Sequence, residues 1–343
     1  MRILAARLDN DGDVLVTGPA IRALAASGTV DLLASPAGAA AARLLPGVED
    51  VLTFDPPWSG FRPAAVDPSA VGRLVAQVHD GAYDEAVVFT SFHQSPLPLA
   101  LLLRLAGVPR ISAASEDYPG SLLDVRFRRE AGPELHEVEA ALELVAAAGH
   151  RLPAGDEGRM GLRDLPAPGV DLPERFVVVH PGASVPARTP LPQDAAAMVE
   201  ALRRSGREVV VTGGPGERDL TAAVAVAGAH DLGGRTDLAG LAGVLAAADV
   251  VVVGNTGPAH LAAAVATPVV SLFSPVVPIE RWAPYGVPRI VLGDQQIVCA
   301  GSRARECPVP GHPCLSSVTS DQVVAAVDAL SPETAPELVE ELR

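Results

Sequence analysis

The chain contains no lysine, so all 26 of its basic residues are arginine. Aromatic residues are also scarce, at 3%, whereas apolar residues make up 48%. Any hydrophobic core is therefore expected to be aliphatic and rich in alanine. The arginine-only composition, together with abundant alanine, glycine and proline, indicates GC-rich coding rather than a function.

Positive charge is outweighed by 41 acidic residues, which gives a formal net charge of −15. An acidic surface argues against nucleic acid or an anionic membrane as the main partner. The local exception is formed by Arg126, Arg128 and Arg129. A solvated strand edge is favoured for these three residues over a contact with an anion.

Long apolar runs are missing from the sequence. No stretch of about 18 residues lacks polar or proline interruptions, so no transmembrane segment is predicted. No apolar segment of the signal-peptide type follows Met1 and Arg2. We therefore expect a cytoplasmic protein, and peripheral contact with a membrane surface stays open as an alternative.

Several motifs that would define other enzyme classes are missing. No GxGxxG follows the first strand of either half, which speaks against a nicotinamide or flavin site. No GxxxxGKS, GxxxxGKT or GxSxG occurs, which excludes P-loop nucleotidases and a serine nucleophile elbow. Cys299, Cys307 and Cys314, with His312 nearby, do not have CxxC zinc spacing. Reduced structural thiols are favoured, with a disulfide or a metal site as alternatives, and neither a cofactor nor a metal is expected.

The pattern that is present alternates strands with helices through both halves. It predicts the α/β class, with two doubly wound parallel sheets. A length of 343 residues favours two domains. A segment rich in proline, glycine and charge separates the halves and predicts these boundaries: a first domain over 1–160, a linker over 161–174, a second domain over 175–330 and an acidic tail over 331–343.

The most informative stretch runs from a valine-rich strand at 250–254 into Asn255-Thr256-Gly257-Pro258-Ala259-His260. Thr256 or Asn255 suits the N-cap position of a helix, and Pro258 suits its first turn. The helix N-terminus would present backbone N–H groups and a positive dipole end to an anion such as a phosphate. The alternative is that this segment is an ordinary strand-to-helix turn that binds no ligand.

Two further turns follow strands in the second half, at His180–Ser184 and at Thr212–Glu217. Both are rich in glycine and small polar residues. Because the carboxyl ends of parallel strands meet at one edge of a sheet, the three turns can converge on one ligand.

The first strand, at 2–8, leads into Asp9-Asn10-Asp11-Gly12-Asp13, and we expect the first helix to run from Val14 or Thr17 to Ala26. A calcium loop of the EF-hand type is excluded because its sixth and twelfth positions would be Val14 and Ala20. A DxD metal site remains an alternative. Asp13 is favoured as a carboxylate base, and helix capping alone is its competing interpretation.

These motifs resemble those of glycosyltransferase family nine, the ADP-heptose:lipopolysaccharide heptosyltransferases, over nearly the whole chain. The segments that carry the resemblance are Met1–Gly18, His180–Ser184, Gly213–Glu217, Asn255–Ala264 and Pro268–Pro275. The resemblance implies a GT-B fold, in which two Rossmann-like domains face each other across a cleft. It also implies an acceptor-binding first domain, a second domain that binds an ADP-sugar, and inversion at the anomeric carbon without a metal.

The resemblance further implies roles for individual residues. Asp13 matches the family's general base, and Asp11 and Gly12 lie on the acceptor side. The residues that match donor contacts are Ala183, Ser184, Arg188, Glu217, Thr236, Asn255, Thr256, Gly257, Pro258 and His260. Among these, Glu217 is expected near the ribose and Thr236 near the adenine.

The chain also departs from the family pattern. Asn255 stands where an aspartate is usual, and Arg188 stands near a usual lysine. Arginine keeps the charge and can bind phosphate bidentately, so these changes bear on the sugar more than on the reaction type. The acidic composition gives no basic platform for a lipopolysaccharide core. The acceptor can therefore be another glycan, a glycolipid or a secondary metabolite.

Two other functions remain open on the sequence alone. One is a nucleotide-sugar epimerase or hydrolase, which would need a second acid–base pair and no acceptor. The other is a nucleotide-sugar-binding protein without catalysis, which Asn255 favours and Asp13 disfavours.

Overall fold

The computed structural model describes residues 1–60, 63–91, 93–129, 134–165 and 167–331. It divides into two compact units, Met1–Arg163 and Asp164–Arg343. The division lies inside the segment 161–174. The acidic tail expected at 331–343 lies outside the described residues from position 332 onward.

The first unit is built on a six-stranded parallel sheet. Its strands are β1 (Arg2–Arg7), β2 (Thr29–Ala34), β3 (Val48–Thr53), β4 (Glu85–Phe89), β5 (Ile111–Ala114) and β6 (Val125–Phe127). Its helices are α1 (Asp11–Val16), α2 (Gly18–Ala25), α3 (Ala39–Leu44), α4 (Pro68–Gly81), α5 (Leu97–Leu105) and α6 (Glu137–Ala147). The strand order is β3-β2-β1-β4-β5-β6. The strands up to β3 are therefore added on one side of β1, and the strands from β4 onward are added on its other side.

The second unit repeats this plan. Its strands are β7 (Val177–His180), β8 (Val209–Val211), β9 (His230–Asp231), β10 (Val250–Gly254), β11 (Val269–Leu272) and β12 (Arg289–Leu292). Its helices are α7 (Pro192–Arg204), α8 (Arg218–Val224), α9 (Leu238–Ala247), α10 (Gly257–Ala264), α11 (Ile279–Trp282), α12 (Pro313–Ser316) and α13 (Ser320–Leu330). The strand order β12-β11-β10-β7-β8-β9 reverses between β7 and β10.

Both sheets are parallel and are buried on both faces, which is why their central strands are unbroken apolar runs. The core of the second unit is dominated by valine from β7, β8 and β10. The α/β class and the two doubly wound sheets are confirmed. In doubly wound sheets, ligands bind at the carboxyl ends of the strands where the order reverses. A ligand site is therefore expected at the carboxyl ends of β1 and β4 in the first sheet and of β7 and β10 in the second.

The first helix differs from its prediction. Two helices, α1 and α2, replace a single one beginning at Val14 or Thr17, and Asp13 lies inside the first turn of α1. The break falls at Thr17, whose hydroxyl donates to the carbonyl of Val14 at 2.6 Å. Pro19 has no N–H to continue the helical ladder through this point. The two-residue strand β9 was not predicted, because so short an edge strand has no periodicity to detect.

Candidate functional site

The reversal point of the first sheet holds a buried arginine between two carboxylates. Arg7 ends β1 and is only 2% exposed. Its Nη2 donates to Oδ1 of Asp13 at 2.9 Å, and its Nε lies 2.7 Å from Oδ2 of Asp9. The strand therefore fixes the cation, and the first turn of α1 brings Asp13 to it. Among the described residues, no hydrogen bond reaches the other oxygen of Asp13, Oδ2.

This environment sets the proton affinity of Asp13. Burial raises the pKa of its carboxyl to about 6, against the opposing effect of Arg7. The negative charges of Asp9 and Glu137 raise it further. A carboxylate with a pKa near 6 is ionised at neutral pH yet basic enough to take a proton, which suits a general base.

Two side chains that the sequence did not suggest complete this network. Ser91 accepts a hydrogen bond from Nη2 of Arg7 at 2.9 Å, and Gln94 donates to Oδ1 of Asp9 at 2.6 Å. Both follow β4, which pairs with β1 in the sheet. The signal that could have found them is the polar character of the sequence just after β4, but only the pairing of β4 with β1 brings these side chains to Asp13.

Asp11 and Gly12, expected on the acceptor side, lie in the first turn of α1. Oδ1 of Asp11 accepts from the backbone N–H of Ala41 at 3.0 Å, which attaches α1 to the start of α3. Burial raises the pKa of the Asp11 carboxyl. Gly12 is buried. An acceptor contact at either residue stays a prediction.

The arginines at the strand edge are more engaged than expected. Arg126 lies in β6 and donates to the carbonyls of Ser115 and Glu116, at 3.0 and 2.6 Å. Arg129 pairs with the buried carboxylate of Glu137 at 3.2 Å. These two side chains are half-buried and also contact oxygen atoms of the protein, whereas Arg128 is exposed, as expected at a solvated strand edge.

The reversal point of the second sheet holds the Asn255–His260 turn. Thr256 takes the N-cap position of α10, and its side chain makes no capping hydrogen bond. Gly257 and Pro258 form the first turn, where backbone N–H groups have no partner within a helix. His260 is the fourth residue of α10 and is buried, with the centre of its ring 6.1 Å from that of Trp282. This end of α10 has the features of an anion site.

The side chain of Asn255 is used inside the fold. It is 4% exposed, its Nδ2 donates to the carbonyl of Ser274 at 3.0 Å, and its Oδ1 accepts from the N–H of Ser274 at 3.1 Å. This two-way pairing joins the ends of β10 and β11. Both polar groups of the amide have backbone partners, and a donor contact at Asn255 stays a prediction.

The loop after β7 lies against the end of β10. A Cβ added at Gly254 would come within 2.5 Å of the backbone oxygen of Arg188, so only glycine allows this approach. The segment that contains the cysteines supports the same loop, because His312 Nε2 lies 3.2 Å from the carbonyl of Ala187. Ala183, Ser184 and Arg188 thus belong to the same sheet edge as the α10 terminus.

Glu217 is embedded between the glycine loops that follow β7 and β8. Its Oε2 accepts from the N–H of Gly214 at 2.7 Å, and a Cβ at Gly182 would collide with its carboxylate. The ring of His180 lies beside it, with Nε2 3.9 Å from Oε2. Burial lowers the pKa of His180, and the charge of Glu217 opposes this effect. His180 belongs to the predicted turn His180–Ser184, where it was given no role of its own, and this geometry makes it a candidate site residue.

The remaining predicted residues lie at the margins of this edge. Thr236 directly precedes Asp237, which caps α9 by accepting from Gly240 N–H at 2.8 Å. The three cysteines are free, with Cys299 and Cys314 buried. Burial raises the pKa of the Cys314 thiol. Within the described part of the chain, no group of three or more His, Cys, Asp or Glu side chains could hold a metal ion, and no helix is long and apolar enough to cross a membrane.

Solved structures share this fold. A glycosyltransferase family 9 protein from Veillonella parvula has a TM-score of 0.77 at 16% identity, with 96% of each chain covered. Heptosyltransferase II of E. coli has a TM-score of 0.73 at 19% identity, covering 96% of this chain and 98% of that one. E. coli WaaC with ADP-2-deoxy-2-fluoro heptose has a TM-score of 0.69 at 21% identity, covering 96% and 99%. The fold is therefore the GT-B fold of the heptosyltransferases.

The sequence shows the family directly. The model of glycosyltransferase family 9 (heptosyltransferase) matches residues 71–312, and the chain belongs to this family. Lipopolysaccharide heptosyltransferase 3 of Escherichia coli K12 is 30% identical over 182 residues. That match spans 51% of this chain and about half the length of the curated relative, at 51%.

Proposed function

We propose that the protein is an inverting, metal-independent glycosyltransferase that moves a heptose-like sugar from an ADP-sugar to a hydroxyl of a glycan or glycolipid. Membership of family 9 supports the class of reaction. The observation that carries the proposal is the carboxylate of Asp13, held on the buried Arg7 with its pKa raised to about 6. The proposal includes the cytoplasmic location that the sequence led us to expect.

Inversion needs a single displacement at the anomeric carbon. The acceptor oxygen forms the new bond to that carbon, its proton passes to Asp13, and the bond to the donor phosphate breaks. The electron pair of that bond leaves with ADP. One positioned base is enough for this step, and the free Oδ2 of Asp13 is the oxygen available to receive the proton.

The donor side must stabilise the charge that develops on the leaving diphosphate. In our proposal the first-turn amides of α10 do this together with Arg188 and His260, by electrostatic preorganisation rather than through a metal ion. Ala183 and Ser184 would line the phosphates. Glu217 would meet the ribose, and the backbone at Thr236 would meet the adenine.

The first test is calorimetric binding of ADP, UDP and GDP at matched ionic strength with a chelator present. Tight binding of ADP alone supports the proposed donor. A preference for UDP or GDP overturns the donor, and binding of none overturns the glycosyltransferase assignment.

The second test follows ADP-heptose with and without added glycan acceptors. Transfer that needs an acceptor and persists in chelator supports the proposal, and the anomeric configuration of the product reports inversion. Turnover without acceptor would indicate a hydrolase or epimerase. Asp13→Ala is the matched variant, and it is expected to keep ADP binding while losing turnover.

A further inference from the structure

A cavity of about 230 Å³ opens in the first unit at the carboxyl ends of β4 and β5. Among the described residues, its polar and charged lining includes Ser91, His93, Gln94, Ser115, Glu116, Asp117 and Arg129. Sites for drug-sized ligands usually occupy roughly 300–1,000 Å³. The volume therefore suits one sugar ring better than a longer segment of a glycan.

This cavity is connected to the proposed base. Ser91 lines it and also accepts from Arg7, the residue that holds Asp13. Gln94 lines it and also donates to Asp9. A ring bound here would rest on the same side chains that position the catalytic carboxylate.

The wall formed by the loop after β5 is fixed before any ligand arrives. Ser115 donates through Oγ to the carbonyl of Asp117 at 3.0 Å, and Arg126 holds the carbonyls of Ser115 and Glu116. These bonds hold the backbone of the loop, which lowers the part of the ordering cost of binding that comes from the backbone.

Among the described residues that line the cavity, and with His93 neutral, the two carboxylates of Glu116 and Asp117 outweigh the single guanidinium of Arg129. The guanidinium of Arg129 is neutralised by Glu137, whose side chain is 1% exposed. Glu116 and Asp117 are exposed, and neither forms an ion pair with any residue that the structure describes. Hydroxyl, amide and carboxylate groups can all bind sugar hydroxyls, but the two carboxylates repel an anion.

We propose that this cavity is the acceptor subsite and that it selects a polyhydroxylated ring that is neutral or carries an amine, against a ring that carries a carboxylate. The inference rests on the proposed function and specifies its acceptor class. An amine would be preferred because it gains attraction from Glu116 and Asp117 where a carboxylate meets repulsion.

The test compares three probes of matched shape: methyl glucosaminide, methyl glucoside and methyl glucuronide. Binding to the full chain is measured by saturation-transfer NMR and calorimetry at low salt, near pH 7. We expect the glucosaminide to bind best and the glucuronide about tenfold more weakly than the glucoside, an effect of the size that a nearby surface charge produces. Added salt should shrink these differences.

The isosteric double variant Glu116→Gln, Asp117→Asn keeps size and removes both charges. It is expected to bring the three affinities to within about twofold of each other, since the hydroxyl contacts remain. Glu49→Gln is the matched control, because Glu49 is also exposed but lies in β3, at one outer edge of the sheet and away from the ends of β4 and β5. It should leave the selectivity unchanged.

Three results would overturn the inference: the glucuronide binding as well as the glucoside, selectivity that survives in the double variant, or no binding of any probe. These results do not decide the proposed function, which is tested separately by ADP binding and ADP-heptose turnover. Loss of ADP binding with intact sugar selectivity would instead remove the glycosyltransferase assignment and leave a sugar-binding cavity.

Discussion

Arg7 and Asp13 are joined by a 2.9 Å hydrogen bond in which the guanidinium is buried and the carboxylate is the proposed base. The same guanidinium also faces Asp9. One cation therefore serves two carboxylates, with Glu137 as a third negative charge nearby. The protonation of Asp13 depends on this balance, and four predictions can be tested on it and on the donor-side turn.

The pH dependence of transfer should follow Asp13. Its pKa is raised to about 6, and the base must be ionised, so activity should fall as pH drops through about 6. The measurement is kcat/KM for the donor from about pH 5 to about pH 8, with ADP binding followed in parallel. An activity that stays constant across pH 6 would remove Asp13 as the titrating base.

Replacement of Arg7 should move the acidic limb of the pH–activity profile, in which activity falls as Asp13 is protonated, to higher pH. Without the guanidinium, Asp13 and Asp9 repel each other in a buried site, and the pKa of Asp13 rises above its present value. Arg7→Met is expected to lose on the order of 10²-fold in activity near neutral pH, the scale of a general-base contribution. Part of the loss should be recovered at higher pH.

Arg7→Lys is the control for this variant because it keeps the positive charge. Its limb should stay near pH 6, with a smaller loss of activity. Circular dichroism of both variants establishes that they are folded. If activity fell at the same pH in the methionine and lysine variants, the charge of Arg7 would not be what sets the pKa of Asp13.

Asp13→Asn should stabilise the protein while abolishing transfer. Since the pKa of Asp13 is higher in the folded state than in an unfolded chain, ionising it disfavours folding above pH 6. The neutral amide avoids this penalty. Thermal unfolding should show a higher Tm for the variant near pH 7, and the gain should disappear as pH falls toward about 4. A lower Tm near neutral pH would contradict the raised pKa.

Asn255→Asp should destabilise the second unit. A carboxylate cannot donate to the carbonyl of Ser274, and it would place a buried charge against that oxygen. The loss should be about 1–3 kcal/mol, as for a buried polar group without its partner. It should be larger at about pH 8 than at about pH 5, because a protonated carboxyl can donate again.

Asn255→Ser is the control, since it removes the two hydrogen bonds with the backbone of Ser274 without adding a charge. Its stability should depend little on pH. Chemical denaturation of the three proteins at both pH values makes the comparison. If the aspartate variant were as stable as the parent at pH 8, the pairing with Ser274 would not be what an asparagine provides at this position.

The sequence by itself determined the α/β class and the positions of the proposed anion-binding turns. Valine runs such as Val250–Val253 form strands buried on both faces, and the small or polar residues that follow them can only lie at the carboxyl edge. Asp13 could also be proposed as a base from the sequence, because it follows the first strand by a few residues. These are local signals, carried by short segments of chain.

Only the tertiary structure decided which groups act on those residues. Ser91 meets Asp13 across 78 positions because β4 pairs with β1, and strand order is not written in either segment. The pairing of Asn255 with Ser274 likewise depends on the neighbouring ends of β10 and β11. Burial, which raises the pKa of Asp13, is a property of the packed unit. Local pattern therefore located the candidate residues, whereas long-range packing set their partners and the pKa of Asp13.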